Sequence, residues 1–256
     1  MINNKFFIIG IFFFFLFFTS CGHINKWCGL EEYDLPYDKD AQIVLSNLAD
    51  INHDLTSFKG LGKIRLYSNG NFLAYRIALA ASGKESLRIE VLNPLGHPVI
   101  SLSSNETALY FLSHGNNYTF KKLSRNTRFD KFIDVPISSN ELIGILEARP
   151  YIYPHDIGIL SKIDNGYVLT LKKKWKGIVQ KIYLDETKSN LNKIEYFTNK
   201  KILYSVIFKK MENQDGYIVP TKVFILSDSG ELEIEIYKLY INISIDESIF
   251  TLKPPG

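Results

Sequence analysis

From Phe58 onward, apolar side chains fall on every second position in short runs, and this alternation limits what the chain can fold into more than any other feature. Within Ser86 to Val91, Leu87, Ile89 and Val91 share one side while Arg88 and Glu90 take the other; near the end, Leu232, Ile234 and Ile236 alternate with Glu231, Glu233 and Glu235. A period of two belongs to strands with one buried and one wet face. The glutamate triplet invites a metal or acid site, but its spacing reads as the wet face of a strand. Turn signals separate the runs at Ser68-Asn69-Gly70, Gly115-Asn116-Asn117 and Asp164-Asn165-Gly166. Strands are predicted at Ile64–Tyr67, Phe72–Ala80, Leu87–Leu92, Val99–Ser103, Ala108–Leu112, Tyr118–Lys122, Tyr167–Lys172, Ile178–Leu184, Lys193–Phe197, Leu203–Lys209, Tyr217–Leu226 and Glu231–Ile241. Short reversals between neighbours predict an antiparallel meander curled into a barrel or half-barrel.

Two stretches break the alternation. Asp40 to Asp54 sets Ile43, Val44, Leu48 and Ile51 at helical spacing, which predicts a short amphipathic helix packed on the core. Between Arg125 and Glu147, Ser138-Ser139-Asn140-Glu141 has capping-box spacing, and Leu142, Ile143 and Leu146 follow with helical periodicity. A helix interrupting a meander predicts a plug or lid over the open sheet. The expected fold class is therefore mainly β with α: an antiparallel curved sheet forming a half-open barrel with an internal or lid helix. Residues 40–256 fit one domain of that kind, since all-β units commonly reach this size.

The N-terminus follows different rules. Met1 to Lys5 carries one basic side chain, and Phe6 to Phe18 is apolar but for Gly10, the pattern of a signal peptide. At ~1.5 Å per residue the apolar run spans only roughly 20 Å of a hydrocarbon core about 30 Å thick. Phe18-Thr19-Ser20-Cys21-Gly22 resembles a lipobox, in which the cysteine thiol becomes the thioether to diacylglycerol before cleavage on its amino side. Ordinary secretory cleavage after Ser20 satisfies the same small-residue rule; a cysteine directly after the cut favours the lipobox. The expectation is a signal peptide over 1–20, a lipidated tether over 21–39, and N-acyl and S-diacylglycerol chains on Cys21, which hold stably once two or three chains are present. The chain has two cysteines, so lipidation of Cys21 leaves Cys28 without an intrachain partner, as a free thiol or an intermolecular link. By analogy with enterobacterial sorting, Gly22 rather than Asp after the cysteine favours the periplasmic face of the outer membrane.

Leu87 to Leu102 reads as strand, turn, strand, with Asn93-Pro94-Leu95-Gly96 at the turn. This segment resembles the LolA/LolB superfamily, most of all its LolB outer-membrane lipoprotein receptors. The resemblance extends to Phe58-Lys59-Gly60-Leu61-Gly62-Lys63-Ile64, similar to that family's glycine-spaced first strand, and to the helical segment Ser138 to Pro150. Asn242 to Pro255 is similar to its closing strand and Pro-Gly tail. What the resemblance implies is an apolar cavity that accepts the acyl chains of client lipoproteins from a soluble LolA-like periplasmic carrier and passes them to the membrane. It also implies a membrane-contacting loop at Asn93, Pro94, Leu95 and Gly96, with Leu95 in the position of the family's exposed leucine. The residues agree on their own terms: Pro94 fixes φ, Gly96 allows positive φ, and Leu95 between them is pushed outward at a turn tip or folds back onto the core. The chain is longer than the compact receptors and adds lysine-rich strands around Lys172 to Lys210.

Other chemistry has little support. His23, His53, His97, His114 and His155 are scattered without zinc-ligand spacing, and no nucleophile elbow, phosphate loop or dinucleotide fingerprint occurs. No enzyme, metal or cofactor is expected beyond the lipid on Cys21. A formal net charge of +3 argues against a nucleic-acid partner, and a monomer is expected. The basic run Lys172-Lys173-Lys174-Trp175-Lys176 reads as a solvated hairpin end or as a contact with anionic headgroups. Two alternatives stand beside the lipoprotein acceptor: a lipid or glycolipid carrier of the same fold, and a structural or assembly lipoprotein whose interior is filled by side chains.

Overall fold

The structure, a computed structural model, describes residues 38–68, 70–114 and 118–254. The signal peptide, Cys21, Gly22, Cys28, nearly all of the tether, Asn69, the turn residues Gly115 to Asn117 and the last two residues lie outside them. Helix α1 (Lys39–Asp50) comes first, then β1 (Ser57–Ser68), β2 (Asn71–Ser82), β3 (Ser86–Leu92), β4 (Pro98–Ser104), β5 (Ala108–Ser113) and β6 (Thr119–Ser124). A single turn of helix, α2 (Asp130–Ile133), and helix α3 (Ser139–Leu146) separate these from β7 (Ile157–Ile163), β8 (Gly166–Lys173), β9 (Gly177–Leu184), β10 (Leu191–Thr198), β11 (Lys201–Gln214), β12 (Tyr217–Leu226) and β13 (Glu231–Ile241). A 3-10 turn at Glu247–Phe250 follows.

All strands belong to one 13-stranded sheet, in the order β6-β5-β4-β3-β2-β1-β13-β12-β11-β10-β9-β8-β7. Every pairing is antiparallel. Two meanders are thus joined where the first strand meets the last, and the sheet is left open at β6 and β7. Exposed main-chain edges invite pairing with other chains unless blocked. Lys121 and Lys122 stand exposed on β6, and α1 packs against β7.

The helix between the two meanders lies inside. Ser138 caps α3 as expected: its Oγ accepts from the Glu141 N–H at 3.3 Å, while the Glu141 carboxylate accepts from the Ser138 N–H at 2.8 Å. Leu142, Ile143, Ile145 and Leu146 are all buried, so α3 is a plug, with Asn140 in its first turn its one exposed residue. It joins Phe58, Ile77, Leu79, Leu109, Ile194, Val206, Ile225 and Ile234 in one core on the inner face of the sheet.

Four sequence expectations need correction. Strand β7 escaped notice because its inward position is Gly158, over which Ala41 of α1 sits: a Cβ there would lie 3.5 Å from the Ala41 Cβ, so close helix packing replaces alternation. The first helix opens one residue earlier than its periodicity placed it, at Lys39, with Asp38 capping it by accepting from the Asp40 N–H. Ile43 is 58 % exposed, and the buried stripe of α1 is Ala41, Val44 and Leu48. Finally, the closing strand is β13, not Asn242 to Pro255: Asn242 takes φ +52°, which ends the strand. The residues beyond it form a strap on the outer face, where the Ile249 carbonyl accepts from Arg88 at 2.6 Å and the Phe250 carbonyl from Ser103 at 2.9 Å.

The glutamate triplet is drier than expected. Glu233 is only 6 % exposed, because Arg65 on β1 bridges it and Glu235, while Lys222 on β12 reaches it at 2.8 Å. Cations on both neighbouring strands cover that carboxylate, so the outer face carries an ion-paired lattice rather than a ligand site.

Candidate functional site

Three recesses differ in chemistry. The first, about 550 Å³, fills the opening near β6 and β7 and is polar, with Arg125, Arg128, Glu141 and Tyr153 in its walls. Its groups satisfy one another: the Tyr153 hydroxyl donates to Glu141 at 2.6 Å, and Arg128 donates to the Pro136 carbonyl and lies 3.7 Å from Glu141. Burial, helped by the Glu141 charge, pushes the Tyr153 hydroxyl up to about 12. Beneath it Tyr196 stacks on Tyr204 with ring centres 4.6 Å apart, and burial raises both hydroxyls well above the ordinary range. Protonated phenols and paired charges make this a polar seal across the gap in the sheet.

The second recess, about 690 Å³, is a shallow groove on the outer face under the C-terminal strap, with Leu61, Ala78, Ala80 and Tyr240 in its floor.

The third, about 190 Å³, lies on the inner face between the first meander and the helices. Alternation builds its wall: Ile64 and Leu66 of β1, Ile77 and Leu79 of β2, Ile89 and Val91 of β3, Ile100 and Leu102 of β4 all point in. Leu142 and Leu146 of α3 close the back, while Phe129 and Phe132 with Ile133 at α2 close the side. The Phe132 ring stacks on Phe111 of β5 at 4.8 Å with the planes 6° apart. Tyr75 brings the one polar side-chain atom among the lining residues, so the cavity offers dispersion and dehydration and almost no hydrogen bonding.

The mouth is set by strand length. β2 pairs with β3 only from Arg76 onward, so Asn71 to Tyr75 project past the end of β3, and Leu73 and Tyr75 are exposed at the rim. The turn Asn93 to Gly96 leaves β3 on the same side. The Asn93 carbonyl accepts from Gly96 N–H at 2.9 Å, its side chain accepts from the N–H groups of Leu95 at 2.9 Å and His97 at 3.0 Å, and Gly96 takes φ +88°. These bonds fix the tip and leave Leu95 83 % exposed; it does not fold back onto the core. Pro94, Leu95 and Gly96 are exposed together at this tip, whereas Cys21 lies outside the described residues.

The cavity-lining residues were not assignable from sequence. Their signal was present in the alternation of β1 to β4, but only the register tells which inward residues face space and which meet other side chains. Among the described residues no group of three or more His, Cys, Asp or Glu could hold a metal ion.

No protein-family model matches the sequence, and neither does any curated protein. Solved structures do match in fold. A DUF1329 family protein from Desulfovibrio piger superposes with a TM-score of 0.62 at 12 % identity, over 83 % of this chain and 96 % of that one. A LolA superfamily protein from Nitrosomonas europaea gives 0.58 at 16 % identity, over 83 % and 97 %. A domain described as an outer membrane lipoprotein-sorting protein, from Vibrio parahaemolyticus, gives 0.61 at 11 % identity, over 83 % and 96 %. The chain thus has a LolA-like fold, an open, curved antiparallel sheet wrapped around a buried helix.

Proposed function

We propose that the protein is a lipid-anchored lipoprotein of the cell envelope, held through Cys21 at the periplasmic face of the outer membrane, that accepts acyl chains of client lipoproteins from a LolA-like carrier and delivers them to the membrane. The observation that carries this reading is the apolar cavity under α2 and α3, whose lining suits a hydrocarbon chain and little else. Each methylene moved from water into such a site contributes about 0.8 kcal/mol. At about 190 Å³ the cavity is smaller than the roughly 300–1,000 Å³ of ordinary ligand sites, so a whole chain enters when the α2 turn moves off Phe111. Leu95, held at the rim by a hydrogen-bonded turn, is the part of the acceptor that touches the bilayer. The protein acts by binding and transfer rather than by catalysis.

The test uses the chain without residues 1–20 and with Cys21→Ala. It is loaded with a lipoprotein from the cognate carrier, and transfer to liposomes is followed for the parent and for Leu95→Glu. Acceptance of cargo by both, with delivery lost only in Leu95→Glu, supports the reading. Free phospholipid or glycolipid in the purified protein, with no acceptance of cargo, moves it to a lipid carrier of the same fold. An empty cavity that takes up neither moves it to a structural or assembly role.

A further inference from the structure

The antiparallel order sorts the hairpin turns into two groups. The turns at 93–97, 174–176, 199–200 and 227–230 lie at one end of the sheet, the end where β1 and β5 finish and β2 and β6 begin, because every neighbouring pair is antiparallel. The turns at 83–85, 105–107, 164–165, 185–190 and 215–216 lie at the other.

The two ends differ in charge and polarity. The far end carries Glu85, Glu106, Asp164, Asp185, Glu186 and Asp215 against Lys84, Lys188 and Arg125, the last paired with Glu85 at 3.3 Å. The Leu95 end carries Lys174, Lys176 and Lys200 in its turns against Asp228. Two other carboxylates nearby are engaged, Asp134 accepting from Ser68 Oγ at 2.6 Å and Asp156 from the Lys174 N–H at 2.8 Å, while Glu231 at the start of β13 is exposed on the same end and leaves the cations in excess by one. Asp130 and Lys131 on α2 offset each other.

Exposed apolar groups gather at this same end. Leu95 is 83 % and Trp175 94 % exposed, and Phe72, Leu73, Tyr118 and Ile202 add further exposed surface at the strand ends. Lys200 sits at φ +65° in a two-residue turn, a backbone conformation that glycine or asparagine would adopt more cheaply, so a cation is displayed there at a conformational cost. An indole ring flanked by lysines suits a bilayer interface, with the ring at headgroup depth and the ammonium groups on phosphates.

We propose that the sheet end bearing Leu95, Trp175 and Lys200 is a bilayer-facing surface that recognises anionic headgroups through Lys176 and Lys200, with Trp175 seated in the interface. The contact does not depend on what the cavity carries. It orients the protein with its mouth toward the lipid and its acidic end away, which adds a second point of contact to the Leu95 tip.

Tryptophan fluorescence tests it, since the chain holds two tryptophans and Trp27→Phe leaves Trp175 as the sole emitter. The full chain carrying Trp27→Phe is incorporated into vesicles of phosphatidylcholine alone and of phosphatidylcholine with phosphatidylglycerol, each with brominated acyl chains. The expected result is a blue shift and quenching of Trp175 in the anionic vesicles that fade as salt is raised. Lys176→Gln with Lys200→Gln should lower the contact constant, read from the quenched fraction, about fivefold per lysine, or roughly 25-fold together. Uptake of a fluorescent fatty acid in the same samples reports the cavity, so failure of the contact is separate from failure of the acyl-chain reading. A water-exposed emission maximum in both lipids, or equal quenching with and without the lysines, overturns the proposal.

Discussion

Val91→Phe places a larger ring in the apolar cavity and separates a binding site from a merely loose core. Val91 lies between Ile77 and Ile100 in the ladder, and its side chain lines the 190 Å³ space. If the ring fills about a third of that volume, the folded state without ligand gains about 1.5 kcal/mol at ~24 cal/mol per Å³. Strain from imperfect fit returns part of that gain, so a net change between about 0 and +1.5 kcal/mol is expected. For an acyl chain the same ring removes room for about two methylenes at ~0.8 kcal/mol each, so affinity falls tenfold or more. Urea unfolding gives the first quantity and titration with a fluorescent fatty acid the second. Lower stability by more than about 2 kcal/mol with unchanged uptake would refute the assignment, because it would mean that the space is not where the chain binds.

Other outcomes follow from single contacts. Leu95→Glu should leave unfolding free energy within about 0.5 kcal/mol of the parent, since its side chain touches little, while delivery to liposomes is lost. Gly62→Ala should cost at least about 2 kcal/mol: a Cβ there would meet the Glu235 carbonyl oxygen at 2.5 Å, beside the bulge between β1 and β13, and calorimetry would show a midpoint several degrees lower. Tyr153→Phe removes the donor to a buried carboxylate and should destabilise by about 1–3 kcal/mol in urea, with Glu141 left short of one partner. Burial raises the Glu147 carboxyl above its usual 4.5, only partly offset by Arg149, so its contribution to stability is present below that value and lost as pH rises through the raised one. Glu147→Gln should therefore gain on the parent in urea midpoint as pH is raised from about 4 to 7, and parallel curves would count against a raised Glu147.

Local order was written in the chain. The period-two runs fixed the strands and their inner faces, Ser138 with Glu141 fixed the start of α3, and the Asn93 to Gly96 turn fixed the tip that holds Leu95, because each depends on residues a few positions apart. Strand β7 was hidden since Gly158 replaces an inward side chain with the approach of α1, an interaction across more than a hundred residues. The pairing of β1 with β13 likewise joins the two ends of the meander, and it alone decides that the sheet stays open at β6 and β7 rather than closing. The burial of Glu233 needed two neighbouring strands to bring Arg65 and Lys222 beside it. The cavity itself arises because α3 and α2 pack on inner residues of six strands without filling the space between them. Volume left over by packing is a property of the assembled layers, so it has no signature in any one segment. The same holds for the two charged ends: each turn is readable alone, but only antiparallel order gathers Leu95, Trp175 and Lys200 on one side and the acidic turns on the other.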